Sequence, residues 1–403
     1  GDAIALDWVY KPRFVHVMDD GTQFMIDTYW KCNPSDASAG GPRISKWDAD
    51  GNYIGQIDYR GTNDTFVVDQ GGLLYTVNKQ GAGSSTTLTL TQVRPDFDTN
   101  NDPIGDSWRF TFADTANDPV SNNQYSYARV DSRRGLIYVN DRRRIFVYDV
   151  REDLSNGIDE FKNGMDEQYL GALRNAEQIF ACSSHGSSWS GFAMDVDSEG
   201  NLYVADTCGD RIHKFTTSYF NASGQFIMGN YVGWMGRCDS STNKACDTDR
   251  QVSKGYSCTD ATCTAVTTQG DQQGQFNTPV YLTVDPNDVL YVADTGNSRI
   301  QRFATDGTFA GEAVSTGTGI NQGEYPSFVL GNMEPPKSVS VNSTQFFVVD
   351  TNESFVHVFQ TTPFKEITDS SAKVTYISNF DFHNAQDSFS YRVSDGLAFS
   401  STG

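Results

Sequence analysis

Histidine is scarce in this chain, five residues in 403, and no two cysteines have the C-x2-C spacing of a zinc ribbon. A metal centre built from those ligands is poorly provided for. Basic residues are also in deficit, with Lys+Arg 30 against Asp+Glu 51, a net charge of -21 and a pI near 4.5. An acidic surface of that kind argues against nucleic acid and anionic membrane as partners. Long apolar runs are missing too. The longest are fragments such as Phe346 to Val349, far short of the ~20 residues of a membrane helix. What is present is globular: aromatics are 13% of the residues and charged residues 20%.

The cysteines that do occur are clustered. Cys238, Cys246, Cys258 and Cys263 fall in one Ser/Thr/Asp-rich stretch with no Leu or Ile, which reads as a loop stapled by two disulfides. A zinc site is the rival, but the stretch has no His. Cys182 and Cys208 flank one further unit and are expected to pair, and Cys32 is left over. Four sequons, at Asn63, Asn221, Asn342 and Asn352, are candidate glycosylation sites. Together they predict an extracellular or cell-surface protein.

Two stretches nearly coincide. "LYVADTCGDRIHKF" (Leu202 to Phe215) and "LYVADTGNSRIQRF" (Leu290 to Phe303) share nine of fourteen residues. Aligned on their Asp, six segments carry an aromatic three residues before an Asp or Asn: Phe24/Asp27, Tyr75/Asn78, Tyr138/Asp141, Tyr203/Asp206, Tyr291/Asp294 and Phe347/Asp350. Before each aromatic lies a Gly/Asn/Asp or other polar turn, and before that an alternating apolar run. Period-two alternation gives strands, and such turns give hairpins. Each unit is therefore a meander of three or four antiparallel strands. The shared Asp is expected to accept backbone N–H bonds in its turn. In two copies an Arg five residues on, Arg211 or Arg299, can reach it across the hairpin. A lone small sheet must cover its faces, and stacking in a ring does so. The expectation is an all-β, six-bladed β-propeller over residues 1–362. Ala3 to Tyr10 is expected to supply the last blade's missing fourth strand and close the ring.

At these residues the chain resembles the NHL-repeat β-propeller family, most fully from Gly274 to Phe309 and over roughly residues 10–360 in all. The resemblance implies the propeller and no particular chemistry. The tail, residues 363–403, reads differently. "VTYI" followed by "DSFSYRVSDG" resembles the second half of a cadherin-like or immunoglobulin-like module, a partial β-sandwich segment. A whole module needs about seven strands over ~100 residues, so another segment or chain must complete it.

Candidate chemistry is thin. Propeller lyases and lactonases hold a metal in the central channel. Here His16 lies on the innermost strand of its unit, and the equivalent positions are Val67, Arg129, Asp195, Thr283 and Val339. That set does not supply converging ligands. His213 and His357 sit third in their strands, where a surface or inter-blade role is expected. Cys182 to Gly191 fails the G-x-S-x-G pattern and reads as a polar loop. Asp96, Asp98, Asn100 and Asp102 alternate as in a calcium loop, with Asp106 as a candidate closing ligand; a solvated acidic loop is the plain alternative. Calcium is thus the one cofactor candidate. Arg142, Arg143 and Arg144 read as a solvated hairpin turn. The functional expectation is a non-enzymatic adhesion or structural protein. Its propeller would bind proteins and its tail would connect it to itself or to other surface proteins. The rival is a metal-dependent propeller hydrolase or lyase.

Overall fold

In the computed structural model the described residues are 12, 14–30, 40–58, 66–68, 74–80, 87–93, 108–113, 127–140, 145–149, 169–173, 193–239, 245–247, 249–259, 263–265, 269–315, 328–329, 336, 338–342, 345–350 and 355–360. They form antiparallel sheets in chain order, each folded as a meander. The first holds β1 (Phe14–Val17), β2 (Gln23–Trp30), β3 (Gly40–Trp47) and β4 (Tyr53–Asp58). The second holds β5 (Phe66–Val68), β6 (Leu74–Gln80), β7 (Thr87–Val93) and β8 (Trp108–Ala113). The third holds β9 (Tyr127–Asp131), β10 (Leu136–Asn140), β11 (Ile145–Asp149) and β12 (Tyr169–Ala172). The fourth holds β13 (Met194–Val196), β14 (Leu202–Asp206), β15 (Arg211–Phe215) and β18 (Tyr231–Gly236), with the hairpin β16 (Tyr219–Phe220) and β17 (Phe226–Ile227) between its last two strands.

Two short ladders follow, β19 (Cys238–Asp239) with β22 (Thr264–Ala265) and β20 (Cys246–Asp247) with β21 (Val252–Ser253), and a fifth sheet then runs β23 (Pro279–Val284), β24 (Val289–Asp294), β25 (Arg299–Ala304) and β26 (Phe309–Ser315). The short β27 (Phe328–Val329) joins its edge in parallel. A last sheet has β28 (Val339–Val341), β29 (Gln345–Asp350) and β30 (Phe355–Gln360). Four four-stranded meanders with similar neighbours make this an all-β propeller arrangement. The innermost strands touch in succession: β5 with β9, β9 with β13, β13 with β23, β23 with β28, and β28 with β1.

The turns follow the sequence pattern. In "DSEGN", Asp197 Oδ1 accepts the Asn201 N–H at 2.8 Å, and Gly200 takes the left-handed position at φ +84°. In the twin turn "DPND", Asp285 Oδ1 accepts the Val289 N–H at 2.8 Å and Asp288 takes that position at φ +61°. Asp is one of the few residues besides Gly that tolerates it. The aromatics of the repeat are buried where sheets meet. Phe24, Tyr138, Tyr203 and Tyr291 lie in one apolar cluster, each at most 2% exposed. Phe347 joins a second cluster with Val15, Met25 and Trp47, which packs the first sheet against the last.

The last sheet has three strands among the described residues. The closing strand expected from Ala3 to Tyr10 lies outside the described residues, as does the tail module of residues 363–403.

Candidate functional site

At one level, five of the six inner strands carry a polar residue. Strand pairing identifies it: His16 opposes Phe24, Val67 opposes Tyr75, Arg129 opposes Tyr138, Asp195 opposes Tyr203 and Thr283 opposes Tyr291. In the last sheet the residue opposite Phe347 is Ser340, while Val339 opposes Val348. The expectation of Val339 at this level is therefore corrected by one position. In a strand a one-residue slip turns a side chain to the other face, so an apolar position becomes a hydroxyl.

Asp195 is the hub of this layer. Arg129 Nε lies 2.8 Å from its Oδ1, an ion pair between neighbouring sheets. The same Oδ1 accepts the Val196 N–H at 2.7 Å. Its Oδ2 accepts the Thr283 hydroxyl and the Val284 N–H, both at 2.9 Å. All four contacts are made by protein, which leaves this carboxylate little capacity for a metal or a substrate proton. His16 is partly buried beside this group. Burial, and then the Arg129 charge, push its pKa down to about 3, so the ring is neutral at physiological pH. On the last sheet, Ser340 Oγ accepts the Val17 N–H at 2.9 Å and ties β28 to β1.

Two residues earlier along the same strands the layer is aromatic. Tyr127 and Tyr281 hydroxyls are 3.0 Å apart, although β9 and β23 belong to sheets separated by the fourth sheet. Their rings meet edge to face with centroids 6.1 Å apart. Phe14 meets Tyr281 at 5.2 Å, also edge to face. These contacts join the first, third and fifth sheets through the middle of the arrangement. Burial raises the pKa of both tyrosines, and both remain neutral phenols. Sequence reasoning missed this trio. Its signal was an aromatic two residues before the inner polar position in three units.

The donor set does not fit the channel metal of propeller lyases and lactonases. One of the six positions is an arginine, whose charge repels a cation, and the carboxylate is already saturated.

The repeat's Asp and Arg are architectural. Arg299 Nε donates to Asp294 Oδ2 at 2.7 Å, and its other nitrogens donate to the carbonyls of Asp271, Gln272 and Gln275. Asp294 Oδ1 accepts the Asn277 N–H at 2.7 Å. The pair thus clamps the incoming loop to the sheet. In the twin copy Arg211 Nε lies 3.5 Å from Asp206 Oδ2, and Asp206 Oδ1 accepts the Gly209 N–H. His213 replaces Gln301 here. It is fully buried, with Nε2 3.3 Å from Asp206 Oδ2 and Nδ1 3.1 Å from the Tyr231 hydroxyl. The surface or inter-blade role expected for His213 is thereby corrected, because its ring bridges β14 to β18 inside one sheet.

Cys238 is bonded to Cys246 and Cys258 to Cys263. The sulfurs of Cys238, Cys258 and Cys263 crowd within 4.8 Å, as zinc ligands would. Both bonds consume the thiolates that zinc requires, so this stretch is a disulfide cluster around the buried Trp234. Cys208 is also disulfide-bonded. Cys32 and Cys182 lie outside the described residues.

Asn221 heads the exposed turn of the β16–β17 hairpin, where its side-chain oxygen accepts the Ser223 and Gln225 N–H groups. Asn342 is different. It is 3% exposed, accepts the Gln345 N–H at 2.7 Å and reaches the Met18 carbonyl. The expectation of a glycan at Asn342 is corrected, since the folded chain hides that amide. Asn63, Asn352, the candidate calcium loop (Asp96, Asp98, Asn100, Asp102, Asp106), the Cys182 to Gly191 loop and the Arg142 to Arg144 turn lie outside the described residues. The side chain of His357 does as well.

Among known families, the NHL repeat matches residues 276–303. No curated protein matches the chain. Among solved structures, a protein of unknown function from Bacteroides thetaiotaomicron superposes with a TM-score of 0.50 at 11% identity, covering 89% of this chain and 71% of that one. The Swd1 β-propeller domain of Myceliophteria thermophila gives 0.47 at 7% identity, over 87% and 84%. A catalytically inactive virginiamycin B lyase from Staphylococcus aureus with quinupristin gives 0.39 at 10% identity, over 89% and 84%. At 11% identity the first of these likenesses is one of fold. The chain carries an NHL repeat within an all-β propeller arrangement.

Proposed function

We propose that this chain is a six-bladed propeller that acts as a non-enzymatic, extracellular or cell-surface binding scaffold. Each of the six sheets is one blade, and the contact of β28 with β1 supports a ring that brings the two ends of the repeat region together. The segment Ala3 to Tyr10 completes the last blade, and residues 363–403 connect the disc to a larger assembly by strand addition. The observation that carries the non-enzymatic reading is Asp195. The one carboxylate of the inner polar layer spends both oxygens on Arg129, Val196, Thr283 and Val284, beside a core closed by aromatic rings. The extracellular reading rests on the disulfides and on the open sequon at Asn221. No helix among the described residues is long and apolar enough to cross a membrane.

Native mass analysis with and without reductant tests this reading. The expected result is an oxidised, glycosylated protein that associates with itself or a protein partner. A monomer with seven free thiols and no glycan contradicts it.

A further inference from the structure

The inner polar layer has unused capacity on Arg129 and His16. Arg129 meets protein through its ion pair with Asp195, and its two terminal amino groups have no protein partner among the described residues. Its side chain is 13% exposed, so solvent reaches it. Asp195 is saturated, so any further polar contact falls to the arginine. The two amino groups of a guanidinium form a fork that matches a carboxylate in two parallel bonds. Asp195 already offsets part of the charge, which suits a monoanion better than a dianionic phosphate. His16, likewise without a hydrogen-bond partner among the described residues, presents a neutral ring with one N–H to donate. Next to this layer, Phe14, Tyr127 and Tyr281 close the interior with rings at most 8% exposed. Arg129 is thus the partly open cation of this layer, with buried aromatic rings beside it.

We infer that the partly open Arg129 binds a small monocarboxylate, with the carboxylate on its terminal amino groups and beside His16. The site is independent of the scaffold role proposed for the disc's outer surface.

The test is an NMR titration that follows the His16 ring resonances. Sodium acetate and D-glucuronate are the two carboxylate probes; D-glucose and inorganic phosphate are the controls. Both carboxylates are expected to shift the His16 signals saturably and weakly, since an ion pair in contact with water contributes only about 1 kcal/mol. Tighter binding of glucuronate assigns the site to sugar acids; equal binding assigns it to the carboxylate alone, and both outcomes support the site. Arg129→Gln is expected to abolish the shift while the spectrum stays dispersed. Should that variant fail to fold, Arg129→Lys keeps the charge beside Asp195 but loses the fork, and is expected to bind about tenfold more weakly. The inference is overturned by the absence of a saturable shift, by an equal response to phosphate, or by undiminished binding in a folded Arg129→Gln protein.

Discussion

Arg129 on β9 and Asp195 on β13 meet at 2.8 Å across the boundary between two sheets, and Asp195 continues the link to Thr283 on β23 at 2.9 Å. Three consecutive inner strands are thereby joined by one carboxylate. Removing Arg129 strands a nearly buried charge. Arg129→Met is expected to cost about 3 kcal/mol, and Asp195→Asn a similar amount. The double variant should cost much less than the sum, because neither partner is then left alone. Urea denaturation of the four proteins in a double-mutant cycle reads this directly.

His16 makes stability depend on acid. Its pKa is about 3 in the folded chain against 6.5 when unfolded, so below pH 6.5 the unfolded chain takes up the proton more readily. This contribution to stability is complete above about pH 6.5 and is lost as pH falls toward 3. A His16→Gln variant should show a flatter fall in Tm across that window. Equal slopes for both proteins would remove His16 from the account.

Asp210 behaves in the opposite sense. Burial raises its pKa to about 6; the Thr278 N–H bond works against the rise, and Asp206 and Asp294 add to it. The residue also sits at φ +52°. With a folded pKa above the unfolded value of 3.8, it weakens the fold as pH climbs from 3.8 through 6. Asp210→Asn keeps an acceptor for Thr278, tolerates the backbone and removes the charge. It should raise stability at pH 7 by about 1 kcal/mol, the group being only partly buried, and should change little at pH 4. Thermal scans at the two pH values check it.

The clamp of the NHL repeat is structural. Arg299→Ala should cost about 3 kcal/mol, since it removes the charge that pairs with the buried Asp294 and the donors to three loop carbonyls. Arg299→Lys should recover little of it, because a point charge cannot reach three directions at once. Chemical denaturation with hydrogen exchange at residues 270–277 distinguishes loop release from global loss.

Each disulfide near Trp234 closes a short loop, with sequence separations of 8 and 5. Chain entropy gives about 2 kcal/mol for each. Replacing all four cysteines by serine should loosen residues 238–265 and leave the β23–β25 register intact. Hydrogen exchange would show protection lost in the first segment and kept in the second.

Much of the fold was legible in the sequence because the repeat is written in local chemistry. Alternating apolar residues, Asp-headed turns and the Asp206/Arg211 and Asp294/Arg299 pairs each act within one hairpin. The inner layer was harder. His16, Arg129, Asp195 and Thr283 come from four different sheets, and only their assembly shows that Asp195 is saturated while Arg129 is not. The slip from Val339 to Ser340 has the same origin, since strand register depends on the partner strand. His213 read by spacing as a surface or inter-blade residue, yet a Tyr231 hydroxyl on β18 and Asp206 on β14 satisfy its ring inside the sheet. Asn342 carries a valid sequon, and its burial depends on Met18, far away in sequence.

The central claim is that the middle of the disc is an ion-paired, aromatic-closed layer and not a metal centre. A crystal structure grown with Mn2+, read by its anomalous difference map, tests it most directly. The expected map shows six blades, Arg129 against Asp195, and no anomalous peak at coordinating distance from His16 or Asp195. A Mn2+ ion held by His16 and Asp195, with Arg129 displaced, would contradict the account and favour the metal-dependent enzyme.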